Sequence, residues 1–425
     1  LNDTWSVDEH RDDVLRAVRP LEPIELPLLD AAGCVLVDDV AVAAPLPPFD
    51  NSSMDGYAVR TADVESATEE FPAVLTVVGD IAAGSGDLPS VGPGEAARIM
   101  TGAPVPPGAQ AVVPVEWTDG GTGAGPATGM TGQRHHGAEV RVHRGAPAGA
   151  HINGRGSDAA TGAVALTAGT VLGPPQLGLL AALGHATALV HPRPRVVVLS
   201  TGSELAAPGE RLAPGQIHDS NGFMLTAAAQ AAGAVAYRVA AVADDAPTLR
   251  AALDEQLVRA DLVVTSGGVS VGAFDVVKEA LHGEADFRRL AMQPGKPQAF
   301  GLIGPDRTPL FGLPGNPVSA FVSFELFVRP ALRAMAGHAP DALHRPRVTA
   351  RLTGDAPLNS PPGRRQYLRG AYVPGRPGEP GTVGAVGGAG SHLIASLARA
   401  DALIEIPETV TEVAPGAELT VVLLG

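Results

Sequence analysis

The stretch Asp261 to Asp275, DLVVTSGGVSVGAFD, constrains this chain more than any other. Leu262 to Thr265 is a short, largely β-branched apolar run, the pattern of a buried parallel strand. It stops at Ser266-Gly267-Gly268, and a further glycine stands at 272. After Asp275 comes VVKEALHG, a helix pattern closed by Gly283. Strand, glycine turn and helix in this order aim backbone N–H groups at a phosphate. Without a Cβ the backbone can also approach an anion closely. An ordinary tight βα turn uses the same residues, so the surroundings have to decide. Asp275 stands where a carboxylate can hold a divalent cation against a phosphate.

The surroundings repeat the theme. RVVVLS reads as a buried strand followed by Thr201-Gly202-Ser203-Glu204-Leu205. FMLTAAAQAAG reads as a helix, AYRVAAVADD as a strand and PTLRAALDEQLVRA as a helix. Strands alternating with helices predict a parallel sheet with right-handed crossovers over about residues 193–337. Polar residues gather after the strand ends: Ser200, Thr201 and Glu204, then Asp244 and Asp245, then Ser266 to Gly268. Open α/β sheets bind ligands at that edge. Two more glycine turns, QPGKP with Lys296 and LPGNPVSA with Ser319, each adjoin a strand-like run. Together they predict one anion-rich pocket.

The 425 residues allow two to four domains. The chain carries 52 glycines and 39 prolines, so turns are many, yet 45% hydrophobic residues still suffice for globular cores. A formal charge of −15 argues against nucleic acid or an anionic membrane surface as the main partner. An anionic ligand then needs a local pocket lined by bases or backbone. The single cysteine, Cys34, excludes an intrachain disulfide and fits a buried thiol in a reducing, cytoplasmic compartment. No apolar run is long enough to span a bilayer.

Before the α/β region, SVDEHRDDVLRAVR (6–19) predicts a helix capped by Ser6 and Glu9. PLPPFDNSSMDGYAVR (45–60) gathers Asp50, Asn51, Ser52, Ser53 and Asp55 ahead of an extended segment. Such residues form turns anyway; Asp55 as a carboxylate facing a pocket is the functional reading. Residues 71–117 alternate apolar runs with Gly/Pro turns, a small β domain in which Thr101 occupies a turn. Residues 118–138 carry little apolar content and read as a flexible surface loop. PPQLGLLAALGHA reads as a helix ended by Gly184, and Asp158 sits in a loop upstream of it. Beyond 345, four strand-like runs predict a β-barrel or sandwich, with Arg364, Arg365 and Arg369 as its densest basic group. That group serves either strand-edge solubility or an oxyanion clamp.

PPFDNSSMDGYAVR, RIMTGAPVPPGAQAVVPVE, LSTGSEL, TSGGVSVGAFDVVK, QPGKP and LPGNPVSA stand in an order that resembles the MoeA family, molybdopterin molybdenumtransferases similar to the E domain of gephyrin. The resemblance spans essentially the whole chain. It implies an α/β multidomain architecture. A discontinuous helical domain (1–44 and 146–192) joins an inserted small β domain (45–145). A MogA-like α/β domain with a parallel sheet (193–337) binds molybdopterin, and a β-barrel domain (338–425) closes the chain. It also implies a cytoplasmic homodimer, in which the inserted domain of one subunit approaches the pocket of the other. The implied reaction inserts molybdate into adenylylated molybdopterin with Mg²⁺ and releases AMP, downstream of a molybdopterin adenylyltransferase.

Residue by residue, the resemblance implies catalytic roles for Asp55, Thr101, Asp158, Glu204, Asp244 and Asp275, the last two holding the metal. It implies ligand binding by Thr201, Gly202, Ser266, Gly267, Gly268, Ser270, Lys296, Ser319, Arg369 and Ser391. Two positions depart from the family pattern. Ser203 replaces a common Asp, and Gln293 a common Lys, a lost positive charge for which Arg289 is a candidate replacement. A non-catalytic dimeric scaffold and a molybdopterin adenylyltransferase are the alternative readings. The acidic set argues against the scaffold, and the extra domains against the adenylyltransferase.

Overall fold

The structure is a computed structural model that describes residues 4–123, 125–130, 137–242, 245–268 and 276–425. The chain divides into two compact units. One comprises Leu1–Asp38, Ala168–Pro174 and Thr187–Gly425, the other Asp39–Thr167 and Pro175–Ala186.

The larger unit begins with α1 (Val7–Ala17), whose start shows both halves of a capping box. Glu9 N donates to Ser6 Oγ (3.1 Å) and Ser6 N to Glu9 Oε2 (2.8 Å). Val7, Val14 and Val18 face inward and join the core of the α/β sheet. That sheet is built from β1 (Arg195–Thr201), β2 (Val235–Val242), β3 (Leu262–Ser266), β4 (Ala285–Leu290), β5 (Pro297–Ile303) and β6 (Thr308–Leu313), with Thr4–Trp5 at one edge. The spatial order is Thr4–Trp5, β4, β5, β6, β3, β1, β2. β2, β1, β3 and β6 run parallel, as the βα alternation predicts. β5 is antiparallel to both of its neighbours, β4 and β6. The antiparallel pair extends the parallel core into a mixed sheet.

α2 (Asn221–Ala231) and α3 (Ala246–Leu257) provide the crossovers, and α3 is capped by Asp245, which accepts from Thr248 N at 3.0 Å. The sheet's two faces bury separate apolar clusters, one with Val196, Val198, Val264 and Phe311, the other with Val197, Leu199, Val263 and Leu310. This is the alternation a pleated strand covered on both sides requires. Because β2 and β3 flank β1 on opposite sides, the chain reverses its winding beside β1, and the crevice at that switch point opens at the strands' C-terminal ends.

After β6, α4 (Pro317–Ser323) continues through one π turn, Phe324–Val328, into the helix Arg329–Met335. The C-terminal strands Arg365–Val373, Gly381–Ala385, Arg347–Leu352, Glu418–Leu423 and Ala402–Ile406 close into a barrel through pairing of the first with the last. Closure removes the exposed edges that an open sheet would leave. Cys34 is buried, and burial raises its thiol pKa.

The smaller unit centres on a five-stranded sheet in the order Glu139–Val142, Ala73–Ile81, Glu95–Ile99, Gly56–Val59, Ala111–Pro114. Residues 118–123 are more anchored than their composition predicts. Thr118 and Asp119 are buried, and the Asp119 carboxylate accepts from the amides of Gly121, Gly123 and Arg141 at 2.9–3.1 Å. No helix among the described residues is long and apolar enough to cross a membrane.

Candidate active site

The C-terminal ends of β1, β3 and β6 wall a cavity of about 670 Å³ in the larger unit. Its lining includes Thr201, Gly202 and Glu204 after β1, Ser266, Gly267 and Gly268 at β3, and Gly315, Asn316 and Ser319 after β6. The glycines have a steric reason. Gly267 has φ +99°, and a Cβ there would sit 2.5 Å from the Thr201 carbonyl oxygen. At Gly202 an added Cβ would lie 2.6 Å from a Glu204 carboxylate oxygen. Backbone and side chain thus come closer than any larger residue permits.

Hydrogen bonds separate frame from open donors. The Gly267 N–H donates to Leu313 O (3.1 Å) and the Gly202 N–H to Val242 O (3.2 Å). Among the described residues, the Gly268, Gly315 and Asn316 amides donate to no acceptor, and Ser319 Oγ has no partner. All four residues line the crevice, and unspent donors at such a site are what accepts an anion. Val318 N donates to Ser391 O at 3.0 Å, which brings the barrel loop carrying Ser391 and His392 to the same rim.

Two other expected anion contacts sit differently. Lys296 is half-buried and, among the described residues, has no carboxylate within salt-bridge distance. Arg369 is buried, and its guanidinium donates to the carbonyl oxygens of Val386, Gly388 and Gly390. Those bonds hold the loop that leads to Ser391. Arg365 is tied to Asp8 (2.8 Å) and Glu408 (3.0 Å), which joins the barrel to α1. Arg364 Nη1 donates to Gln293 Oε1 at 3.5 Å, and Arg289 is exposed on β4.

Asp55, Thr101 and Asp158 belong to the smaller unit. Asp55 Oδ1 accepts from Thr101 N (2.7 Å) and from Thr101 Oγ1 (2.8 Å), so the two residues form one exposed hydrogen-bonded pair. Asp158 is exposed, and its amide donates to Leu46 O (3.0 Å). Ser270, Asp244 and Asp275 lie outside the described residues. Among the described residues no group of three or more His, Cys, Asp or Glu side chains is placed to hold a metal ion.

Sequence reasoning passed over Asp219 and Asn221, both buried and both on the cavity wall. Asp219 Oδ1 accepts from Ser200 Oγ and from Gly222 N, each at 2.9 Å. Asn221 Nδ2 donates to Ser266 Oγ and to Gly315 O, each at 2.7 Å. The available signal was Asp219-Ser220-Asn221 directly ahead of an apolar helix, a helix-start composition. The sequence pattern places that helix start at Phe223, whereas α2 begins at Asn221.

Three family models match the chain: the MoeA N-terminal region (domain I and II) at residues 5–184, a probable molybdopterin binding domain at 197–334, and the MoeA C-terminal region (domain IV) at 351–424. Molybdopterin molybdenumtransferase 2 of Mycobacterium tuberculosis is 47% identical over 425 residues, covering 98% of each chain. Molybdopterin molybdenumtransferase 1 of the same organism is 38% identical, covering 99% of each. The crystal structure of a molybdopterin biosynthesis MoeA protein from Pyrococcus horikoshii superposes with a TM-score of 0.75 at 31% identity, over 99% of both chains. With matching models along its whole length and relatives of this identity, the chain belongs to the MoeA family.

Proposed function

We propose that the protein is a molybdopterin molybdenumtransferase that inserts molybdate into adenylylated molybdopterin and releases AMP. The observation that carries this reading is the cavity at the β1, β3 and β6 ends, lined by Gly268, Gly315, Asn316 and Ser319, whose backbone amides at 268, 315 and 316 donate to no acceptor among the described residues. Its volume of about 670 Å³ is in the range of small-molecule sites. The names of the relatives support the same reading.

In this account the backbone amides of the β3 and β6 turns bind the phosphate end of the ligand. Preorganised N–H dipoles there stabilise negative charge without reorganising. The Ser391 loop, held by Arg369, and the half-buried Lys296 supply donors for the molybdate dianion. Of the residues assigned to the hydrolytic step, the described ones are Glu204, Asp55 with its partner Thr101, and Asp158. Mg²⁺ dependence is proposed on the resemblance alone, since its two assigned carboxylates lie outside the described residues, and no step here depends on the ion. A homodimer working downstream of a molybdopterin adenylyltransferase in the cytoplasm completes the proposal.

Transfer of molybdenum to a molybdenum-free apoenzyme, by purified protein given adenylylated molybdopterin and molybdate, tests it. Recovered activity of the acceptor enzyme is the expected result; no recovery, in a reaction that a known molybdenumtransferase supports, would overturn it.

A further inference from the structure

We infer that the turn Asp219-Ser220-Asn221 is a staple that positions the cavity's walls, with Asn221 setting the spacing between the turns after β3 and β6. The two turns come from strands that are neighbours in the sheet; the Gly267 N–H to Leu313 O bond is the last backbone tie between them among the described residues, and past it a side chain adds a further one. Asn221 does so with one carboxamide: Nδ2 donates to Ser266 Oγ and to Gly315 O, each at 2.7 Å. Two residues earlier, Asp219 bonds Ser200 Oγ at the end of β1 and the Gly222 amide at the start of α2. One short turn thereby holds the C-terminal ends of three adjacent parallel strands.

The chemistry of the position is specific. Gly315 offers a carbonyl oxygen, so its partner must donate, and a second donor hydrogen from the same nitrogen reaches Ser266. Aspartate matches the size of asparagine but presents no donor in its ionised form. Asn221 is 8% exposed, and its Oδ1 is buried without a hydrogen-bond partner among the described residues. An unpaired buried acceptor is a cost, and the two donated bonds account for keeping a residue that carries it. Asn221 is therefore a positioning residue: it acts on a ligand through Ser266 and Gly315. The identity of that ligand rests on the reading proposed above; the staple itself does not.

The test combines ligand affinity with amide exchange in the full chain, using wild type, Asn221→Ala, Ser266→Ala and the double variant, with adenylylated molybdopterin, in the absence of molybdate, as the probe. Each single change is expected to weaken binding about tenfold, and the double change by about 10–30-fold rather than the roughly 100-fold of independent sites. Amide exchange in segments 262–268 and 310–316 is expected to rise about tenfold in Asn221→Ala, with Val196–Leu199 unchanged. Wild-type affinity in Asn221→Ala, multiplicative losses in the double variant, or unchanged exchange would each overturn the staple. Should Asn221→Ala fail to fold, Asn221→Asp is expected to show the same losses, and wild-type affinity in it would overturn the inference. If wild type binds no adenylylated molybdopterin, the functional reading falls, while the exchange result still judges the staple.

Discussion

A methyl group added at Gly267 would sit 2.5 Å from the Thr201 carbonyl oxygen, on a backbone already at φ +99°. Gly267→Ala is therefore expected to destabilise the protein by about 2–3 kcal/mol, read from urea unfolding, and to abolish ligand binding. His10 carries a different prediction. It is buried edge-on against Phe327 at 4.6 Å. Burial first, and the Arg288 guanidinium second, pull its pKa from the ordinary 6.5 to about 3, with Asp13 opposing. The unfolded chain thus takes up a proton near pH 6.5 that the folded chain refuses until about pH 3. Stability falls as pH drops through that window. His338, pulled to about 4 by burial and by Arg333 and Arg329, acts in the same direction. His10→Leu should flatten the pH dependence of the unfolding free energy between 6.5 and 3; an unaltered slope would show that His10 contributes none of it.

At the scale of elements, the long helix after β6 fixes the rim. Its π turn buries Glu325 (5% exposed), which pairs with Arg345 at 2.8 Å and Arg329 at 3.8 Å. Burial lowers the Arg329 pKa to about 10, a sign that its charge is held at a desolvation cost. Removing Glu325 leaves that charge uncompensated, so Glu325→Ala is expected to cost about 3–5 kcal/mol in denaturant unfolding. A loss below about 1 kcal/mol, as for an exposed pair, would contradict this. Legibility also divides by element. The capping box at Ser6, the strand 262–266 and the barrel strands are visible in sequence, because cap chemistry and β-branched runs are local signals. β4 is not, because ADFRRL carries exposed charges along a strand near the edge. Nor does α2's true start show: Asn221 and Gly222 look like loop residues, and their bonds to Ser266, Gly315 and Asp219 explain them.

For the whole molecule, the candidate residues fall into two groups, the glycine turns in one unit and Asp55, Thr101 and Asp158 in the other. Glycine spacing and strand order made the turns after β3 and β6 legible as parts of a pocket, whereas the QPGKP turn leads into β5 and contributes only Pro297 to the cavity lining. The second group was legible only through family resemblance: a carboxylate in a turn has no chemistry of its own until a ligand is near it. The account expects a dimer in sedimentation equilibrium, and a monomer at micromolar concentration would remove that part of it. The most direct measurement is AMP release by purified protein given adenylylated molybdopterin, with and without molybdate. The account predicts release that requires molybdate and is lost in Gly267→Ala. Tight binding of the ligand with no AMP released under any condition would contradict it, and would leave a protein that keeps the pocket without the reaction.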